Sequence, residues 1–166
     1  LMVRAGGATP KELYDPSICC IEAGGSGQID FNNFDHHDSI LCLSPACEQA
    51  LGTIRTDSEI VEKYVRYVSA VDLAKGPHVE FPSVSSLFSG MLLCTPEPEQ
   101  QFWKGVELLK QLMDSGCDPC SPVPERDEWR PFLEAKELNR TQADTIFEQA
   151  EFFTTAGGLN CGLIAM

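Results

Sequence analysis

The order of apolar and polar stretches predicts strands near both ends of the chain and helices between them. Residues 18–27, ICCIEAGGSG, form an apolar run that ends in a carboxylate and a glycine-rich turn, as is typical of a strand and its following loop. Residues 28–34 predict a second short extended segment, and residues 1–5 and 158–166 are further strand-like runs. This order predicts an α/β fold with a layered, short and mostly parallel sheet flanked by helices.

Apolar residues at helical spacing predict a series of helices in the middle of the chain. The predicted ranges are 44–51, 56–72, 81–94, 98–116 and 125–153, the last being one long helix or two. Thr56 and Glu59 form a predicted capping box, Ser83 is a predicted N-cap, and Gly116 is expected to end its helix. The core face of the fourth helix is predicted to consist of Phe102, Val106, Leu109 and Met113.

Composition and charge narrow the classes of function. A hydrophobic content of 43% is that of a folded domain rather than a disordered chain. The net charge of -13 disfavours long nucleic acids and anionic membranes as partners, although a small phosphate ester held by a metal ion is compatible with it. The apolar runs are too short to span a bilayer and no signal peptide is evident, so we expect a cytoplasmic protein. The oligomeric state is not readable from these features.

The eight cysteines are expected to be reduced, because no secretion signal accompanies them. Cys19 and Cys20 lie in the first apolar run, where they are expected to act as small buried hydrophobes. Cys117 and Cys120 form a CxxC motif after a predicted helix end, and we expect them in an exposed loop without metal. A zinc or redox function of this pair is the weaker alternative, since a zinc site needs two more ligands.

Candidate chemistry is concentrated at the ends of predicted elements. Glu22 ends the first strand, Asp35, His36 and His37 follow the second extended segment, and Asp72 ends a helix, where a carboxylate opposes the helix dipole. Carboxylates with an imidazole form a mixed oxygen and nitrogen set suited to Mn²⁺ or similar ions. Neighbouring side chains of an extended segment point in opposite directions, so the two histidines are expected to have different roles.

The order of these residues resembles the DHH phosphoesterase superfamily. The resemblance is carried by FDHHD after CCIEAGGSG and before YVSAVDLAKG, and it covers roughly residues 15 to 76. The carboxylate-Gly-Gly turn before the DHH motif is most similar to the branch known as metal-dependent protein hydrolases. The resemblance implies an enzyme that uses two Mn²⁺ (or Mg²⁺) ions to activate water for attack on phosphorus, in a short oligonucleotide or another small phosphate ester.

The resemblance also implies a role for each candidate residue. Glu22, His36 and Asp72 would be metal ligands, with Glu22 in place of the usual bridging aspartate. Asp35 would support the site by fixing a ring N–H, and His37 would contact the scissile phosphate. We therefore expect Glu22, His36 and Asp72 to meet at one point of the fold.

Two features depart from the family pattern. A first motif, a histidine with two nearby aspartates, is not found upstream, and AGGLNCG is at most the approach to a C-terminal glycine-rich motif. We accordingly assign residues 1–153 to the DHH-like domain and residues 154–166 to the start of a substrate domain. Because the chain begins at Leu1 and stops in an apolar run, we expect a segment of a longer protein, with weak Mn²⁺ binding and little hydrolysis by itself. The alternative is a degenerate, non-catalytic scaffold that binds a nucleotide or a protein.

Overall fold

The computed structural model describes residues 2–37, 40–54, 56–76 and 79–164 as a mixed α/β protein. The helices are α1 (Pro10–Leu13), α2 (Ala46–Thr53), α3 (Glu59–Asp72), α4 (Val84–Leu93), α5 (Pro98–Asp114) and α6 (Arg130–Glu148). The strands are β1 (Cys20–Ile21), β2 (Asn33–Phe34), β3 (Glu151–Thr154) and β4 (Asn160–Leu163). The mixed α/β composition predicted from the sequence is confirmed.

The strands within these described ranges form two separate pairs rather than one layered sheet. β1 and β2 are parallel, with Cys20 opposite Asn33, and β3 and β4 form an antiparallel hairpin. Residues 2–5, predicted as part of a strand, are irregular. The predicted domain boundary between residues 153 and 154 falls inside β3.

Local signals located most helix ends to within two or three residues. Ser83 caps α4, with its hydroxyl accepting the Ser86 N–H at 3.1 Å, and Gly116 follows α5 with a φ of +66°. Residues 125–153 contain the single helix α6. The predicted capping box of α3 is wrong: its N-cap is Ser58, which makes no side-chain capping bond, and Thr56 accepts the Ser58 N–H instead.

The hydrophobic core lies between the helices and the loops that join them. Its most deeply buried side chains include Tyr64, Leu87, Met91, Leu112 and Trp129. On α5 the buried positions are Leu108 and Leu112. Of the predicted face, Leu109 and Met113 pack against the core, whereas Phe102 and Val106 are 37% and 46% exposed. These positions form neighbouring stripes of one helix, and helical periodicity cannot decide which stripe meets the core.

Cys117 corrects the prediction of an exposed CxxC loop. Cys117 is buried in the hydrophobic core, and its carbonyl accepts the Tyr64 hydroxyl at 3.1 Å, while Cys120 is exposed. Burial raises the pKa of the Cys117 thiol. All eight cysteines lie in the described ranges and all are free. Within those ranges, none of the helices combines the length and apolar character needed to cross a membrane.

Candidate functional site

The parallel pair of β1 and β2 positions the first half of the site. Glu22 directly follows β1 and Asp35 directly follows β2, so both emerge at the same edge of the pair. The Glu22 N–H donates to the Phe34 carbonyl at 2.9 Å, which continues the strand pairing up to the site. Parallel neighbours therefore bring together two carboxylates that are 13 positions apart in the sequence.

Helix α3 supplies the other half of the site. Ser69, one turn before the end of α3, donates a hydrogen bond from its hydroxyl to the Glu48 carboxylate of α2. This contact joins α2 to the last turn of α3, and Asp72 lies beside the loop that follows β2. Asp72 thus has the His36 imidazole as a partner at the C-terminal end of a helix, where the backbone dipole disfavours a negative charge.

Asp35 anchors the loop that carries the histidines. Its buried carboxylate accepts the Gly24 N–H at 2.9 Å, the Ser26 hydroxyl at 2.7 Å and the His37 N–H at 2.8 Å. Desolvation alone would raise the pKa of Asp35, but hydrogen bonds from His37, Ser26 and Gly24 outweigh it and lower the pKa to about 2. The carboxylate is therefore ionised at neutral pH and holds three donors in place.

The two histidine rings lie side by side, which contradicts the prediction that they point in opposite directions. Their centroids are 4.5 Å apart and their planes are inclined by 35°. The strand alternation behind that prediction does not apply, because β2 ends at Phe34. The turn closed by the Asp35 carboxylate and the His37 N–H directs both rings to the same side.

His36 lies between two carboxylates. Its Nδ1 is 3.3 Å from Glu22 Oε1, and its Nε2 is 3.2 Å from Asp72 Oδ2. The His36 side chain is only 14% exposed, whereas that of His37 is 67% exposed, with Nδ1 2.8 Å from Glu22 Oε2. The structure thus brings Glu22, His36 and Asp72 together, as expected from the sequence.

The observed contacts of Glu22, Asp72 and Asp35 differ from the roles predicted for them. Glu22 and Asp72 face opposite nitrogens of the same imidazole, so one ion on His36 Nδ1 would be next to Glu22 and not to Asp72. Asp35 contacts His37, through its N–H and at 3.5 Å through its ring, rather than a ring N–H of His36. In the part of the chain that the structure describes, the group with suitable ligand atoms all within 4.8 Å of one another is Glu22, His36 and His37.

This group could hold a divalent metal ion. Imidazole nitrogens and a carboxylate oxygen are the usual protein ligands of first-row ions. In addition, His36 Nδ1 is buried without a hydrogen-bond partner among the described residues, because its approach to Glu22 has no hydrogen-bond geometry. A buried nitrogen of this kind can be satisfied by an ion or by an ordered water.

No protein-family model matches the chain, and neither a curated protein nor a solved structure matches it. The geometry of the site therefore carries the functional argument.

Sequence reasoning missed two residues that support the site. The Ser26 hydroxyl donates to Asp35, and its place in the glycine-rich turn after Glu22 is a signal that could have indicated this role. Gln49, buried in α2, donates from Nε2 to the Asp35 carbonyl at 3.0 Å and to the Ser44 carbonyl at 2.6 Å. No pattern in the sequence indicates Gln49, since its partners depend on how α2 packs against the loop.

Glu22 adopts a left-handed backbone conformation, with a φ of +50°. For a residue other than glycine this conformation is unfavourable by about 1–2 kcal/mol. We expect Glu22→Gly to raise the free energy of unfolding by about 1 kcal/mol even though the carboxylate is lost. Urea denaturation measures the change.

Glu22→Ala is the matched control, because it removes the same carboxylate but keeps a Cβ in the left-handed conformation. It should give no gain in the free energy of unfolding, so the glycine variant should exceed it by about 1 kcal/mol. Equal stabilities of the two variants would show that the backbone at Glu22 is not strained.

Proposed function

We propose that this chain is a metal-dependent phosphoesterase domain of the DHH type, acting on a short oligonucleotide or another small phosphate ester. The observation that carries the proposal is the position of the His36 imidazole between the carboxylates of Glu22 and Asp72. These three residues are the ones that the DHH resemblance implies, and they are far apart in the sequence. The α/β fold around them agrees with the same family in its broad class only.

Each residue has a specific part in the proposed site. Glu22 and His36 hold a divalent ion, Mn²⁺ or Mg²⁺ according to the resemblance, and Asp72 orients the His36 ring through Nε2. Asp35 keeps the loop in shape with its three hydrogen bonds. When bound, the ion supplies Lewis acidity and a more acidic bound water, as in other metal-dependent hydrolases.

The charge of the chain limits the proposed substrate. With a net charge of -13, attraction to a long polyanion is weak unless a bound cation dominates locally. A small ester with one or two phosphates can be held by the ion and by a neighbouring imidazole. Long nucleic acids and membranes are therefore not proposed as partners, and a cytoplasmic location remains part of the proposal.

A second candidate is the non-catalytic scaffold that binds a nucleotide or a protein. It is favoured by the number of metal-binding groups: within the described ranges one such group is present, whereas a two-metal mechanism needs two ions about 3.5–4 Å apart. A site with one ion can still hydrolyse activated esters, although more slowly. The two candidates therefore differ in a measurable rate.

Hydrolysis of bis(p-nitrophenyl) phosphate and of a dinucleotide, with Mn²⁺ present, tests the proposal. We expect slow hydrolysis above the rate of Mn²⁺ alone, and its loss in His36→Ala. Asp118→Asn is the control, because Asp118 is a half-exposed carboxylate outside the site, paired with Lys63 and accepting the Cys120 N–H. Activity in Asp118→Asn but not in His36→Ala supports the enzyme.

A rate equal to that of Mn²⁺ alone, for both substrates and with folded protein, would contradict the phosphoesterase and favour the scaffold. Retention of full activity in His36→Ala would also contradict it, since the hydrolysis would then arise elsewhere or from a contaminant. Circular dichroism of each variant establishes that the compared proteins are folded.

A further inference from the structure

The same ring nitrogen of both histidines lies close to the same carboxylate. The Nδ1 atoms of His36 and His37 lie 3.3 Å and 2.8 Å from the two oxygens of Glu22. An ion with four ligands at roughly 2.1 Å separates neighbouring ligand atoms by about 3.4 Å. Both nitrogen–oxygen distances are comparable to this value, and the ligand atoms of the three residues all lie within 4.8 Å of one another.

Contacts within the loop and with α3 position the two rings. The turn at Asp35 fixes the His37 backbone, and the two rings lie 4.5 Å apart between their centroids. Asp72 contacts the other side of His36, 3.2 Å from Nε2, while Nδ1 lies on the Glu22 side. A carboxylate behind a metal-binding imidazole is the usual device that orients such a ligand.

Both histidines lie at ion-pair distance from Glu22, but the contact of His36 leaves a buried nitrogen without a hydrogen bond in the described part of the chain. The His36 Nδ1 atom is buried, and among the described residues it makes no hydrogen bond despite its distance of 3.3 Å from the carboxylate. His36 Nδ1 and the His37 imidazole both lie beside the Glu22 carboxylate, and the His37 side chain is 67% exposed. One side of the group is therefore open to a further ligand.

We propose that His37 is a metal ligand, so that Glu22, His36 and His37 together bind a single transition-metal ion. The proposal rests on the metal site of the proposed function and departs from the DHH resemblance, in which His37 contacts the phosphate. Two imidazoles and one carboxylate with an open position are a known catalytic zinc set. The ion preference follows from the ligands: Zn²⁺ and Co²⁺ bind more tightly than Mn²⁺, and Mg²⁺ binds most weakly.

Calorimetric titration of the 166-residue chain with each metal salt alone tests this proposal. We expect one ion per chain and an affinity for Zn²⁺ at least about tenfold above that for Mn²⁺. His37→Ala should lower the Zn²⁺ affinity by about 100-fold, as should His36→Ala, because loss of a ligand weakens binding at least as much as loss of an orienting partner. Asp72→Asn should lower it by about 10- to 100-fold.

The variant His37→Ala is decisive because the side chain is exposed and its loss leaves the core intact. Unchanged Zn²⁺ affinity in this variant overturns the proposal and returns His37 to a substrate-contacting role. An equal loss in Asp118→Asn also overturns it, because binding would then follow overall charge. Co²⁺ provides a second readout: its visible absorption should change in His37→Ala if His37 is a ligand.

These outcomes separate the metal site from the enzymatic activity. Zn²⁺ binding that depends on His37, together with no phosphoester hydrolysis, supports the ligand set and refutes the phosphoesterase. Hydrolysis that persists while His37→Ala leaves the Zn²⁺ affinity unchanged refutes the ligand set alone.

Discussion

Gly90→Ala should lower the free energy of unfolding by about 3 kcal/mol or more. Gly90 is a buried residue of α4, and a Cβ built on it would lie 1.8 Å from the Phe132 backbone oxygen of α6. Because the obstructing atom belongs to a helix backbone, the two helices must move apart to accept a methyl group. Overpacking of this kind is destabilising by about 1–3 kcal/mol, and more where backbones must shift.

Gly105→Ala is the matched control, because it makes the same change in α5. A Cβ there would lie 3.6 Å from the side-chain ends of Met91 and Phe88, which is ordinary contact. Helix propensity should then raise the free energy of unfolding by up to about 1 kcal/mol. Urea denaturation of both variants is the measurement, and a Gly90→Ala protein as stable as the wild type would show that α4 and α6 do not pack as closely as described.

Asp35→Asn should lower the free energy of unfolding by about 2 kcal/mol at neutral pH. A pKa of about 2, compared with the ordinary 3.8, means that the folded state stabilises the ionised carboxylate by roughly this amount. The side chain accepts three hydrogen bonds, from Gly24, Ser26 and His37. An amide has one acceptor oxygen where the carboxylate has two. Its NH₂ group is itself a donor, so at least one of the three hydrogen bonds is lost.

The pH dependence of this loss has a definite sign. Because folding lowers the pKa of Asp35, its contribution is complete above about pH 4 and is lost as the pH falls toward 2. The difference in the free energy of unfolding between wild type and Asp35→Asn should therefore fall to about half by pH 3. Urea denaturation at pH 7, 5, 4 and 3 measures the difference.

Asp144→Asn is the control for Asp35→Asn. Asp144 is an exposed residue of α6, so its substitution should change the free energy of unfolding by no more than about 0.5 kcal/mol. A difference between wild type and Asp35→Asn that is equally small at neutral pH would contradict the anchoring role of Asp35. A difference that does not decrease between pH 5 and pH 3 would show that ionisation is not its cause.

The sequence by itself determined which segments carry the site. Two predictions depended only on residues close together in the chain. One placed the carboxylates of Glu22 and Asp35 at the ends of apolar segments, and the other placed Asp72 at the end of an amphipathic helix. The cap of α4 at Ser83 and the end of α5 before Gly116 were found in the same way. Such signals depend on hydrogen bonds and periodicity within a few residues, so a sequence contains them explicitly.

Only the tertiary structure decided which atoms face one another. That Glu22 and Asp72 lie at opposite nitrogens of His36, and that His37 turns to the same side as His36, depends on the turn at Asp35 and on the packing of α3. The burial of Cys117 likewise depends on the helices around it. Each of these features arises from contacts between distant segments, and amphipathic periodicity specifies that a face is buried without specifying its partner.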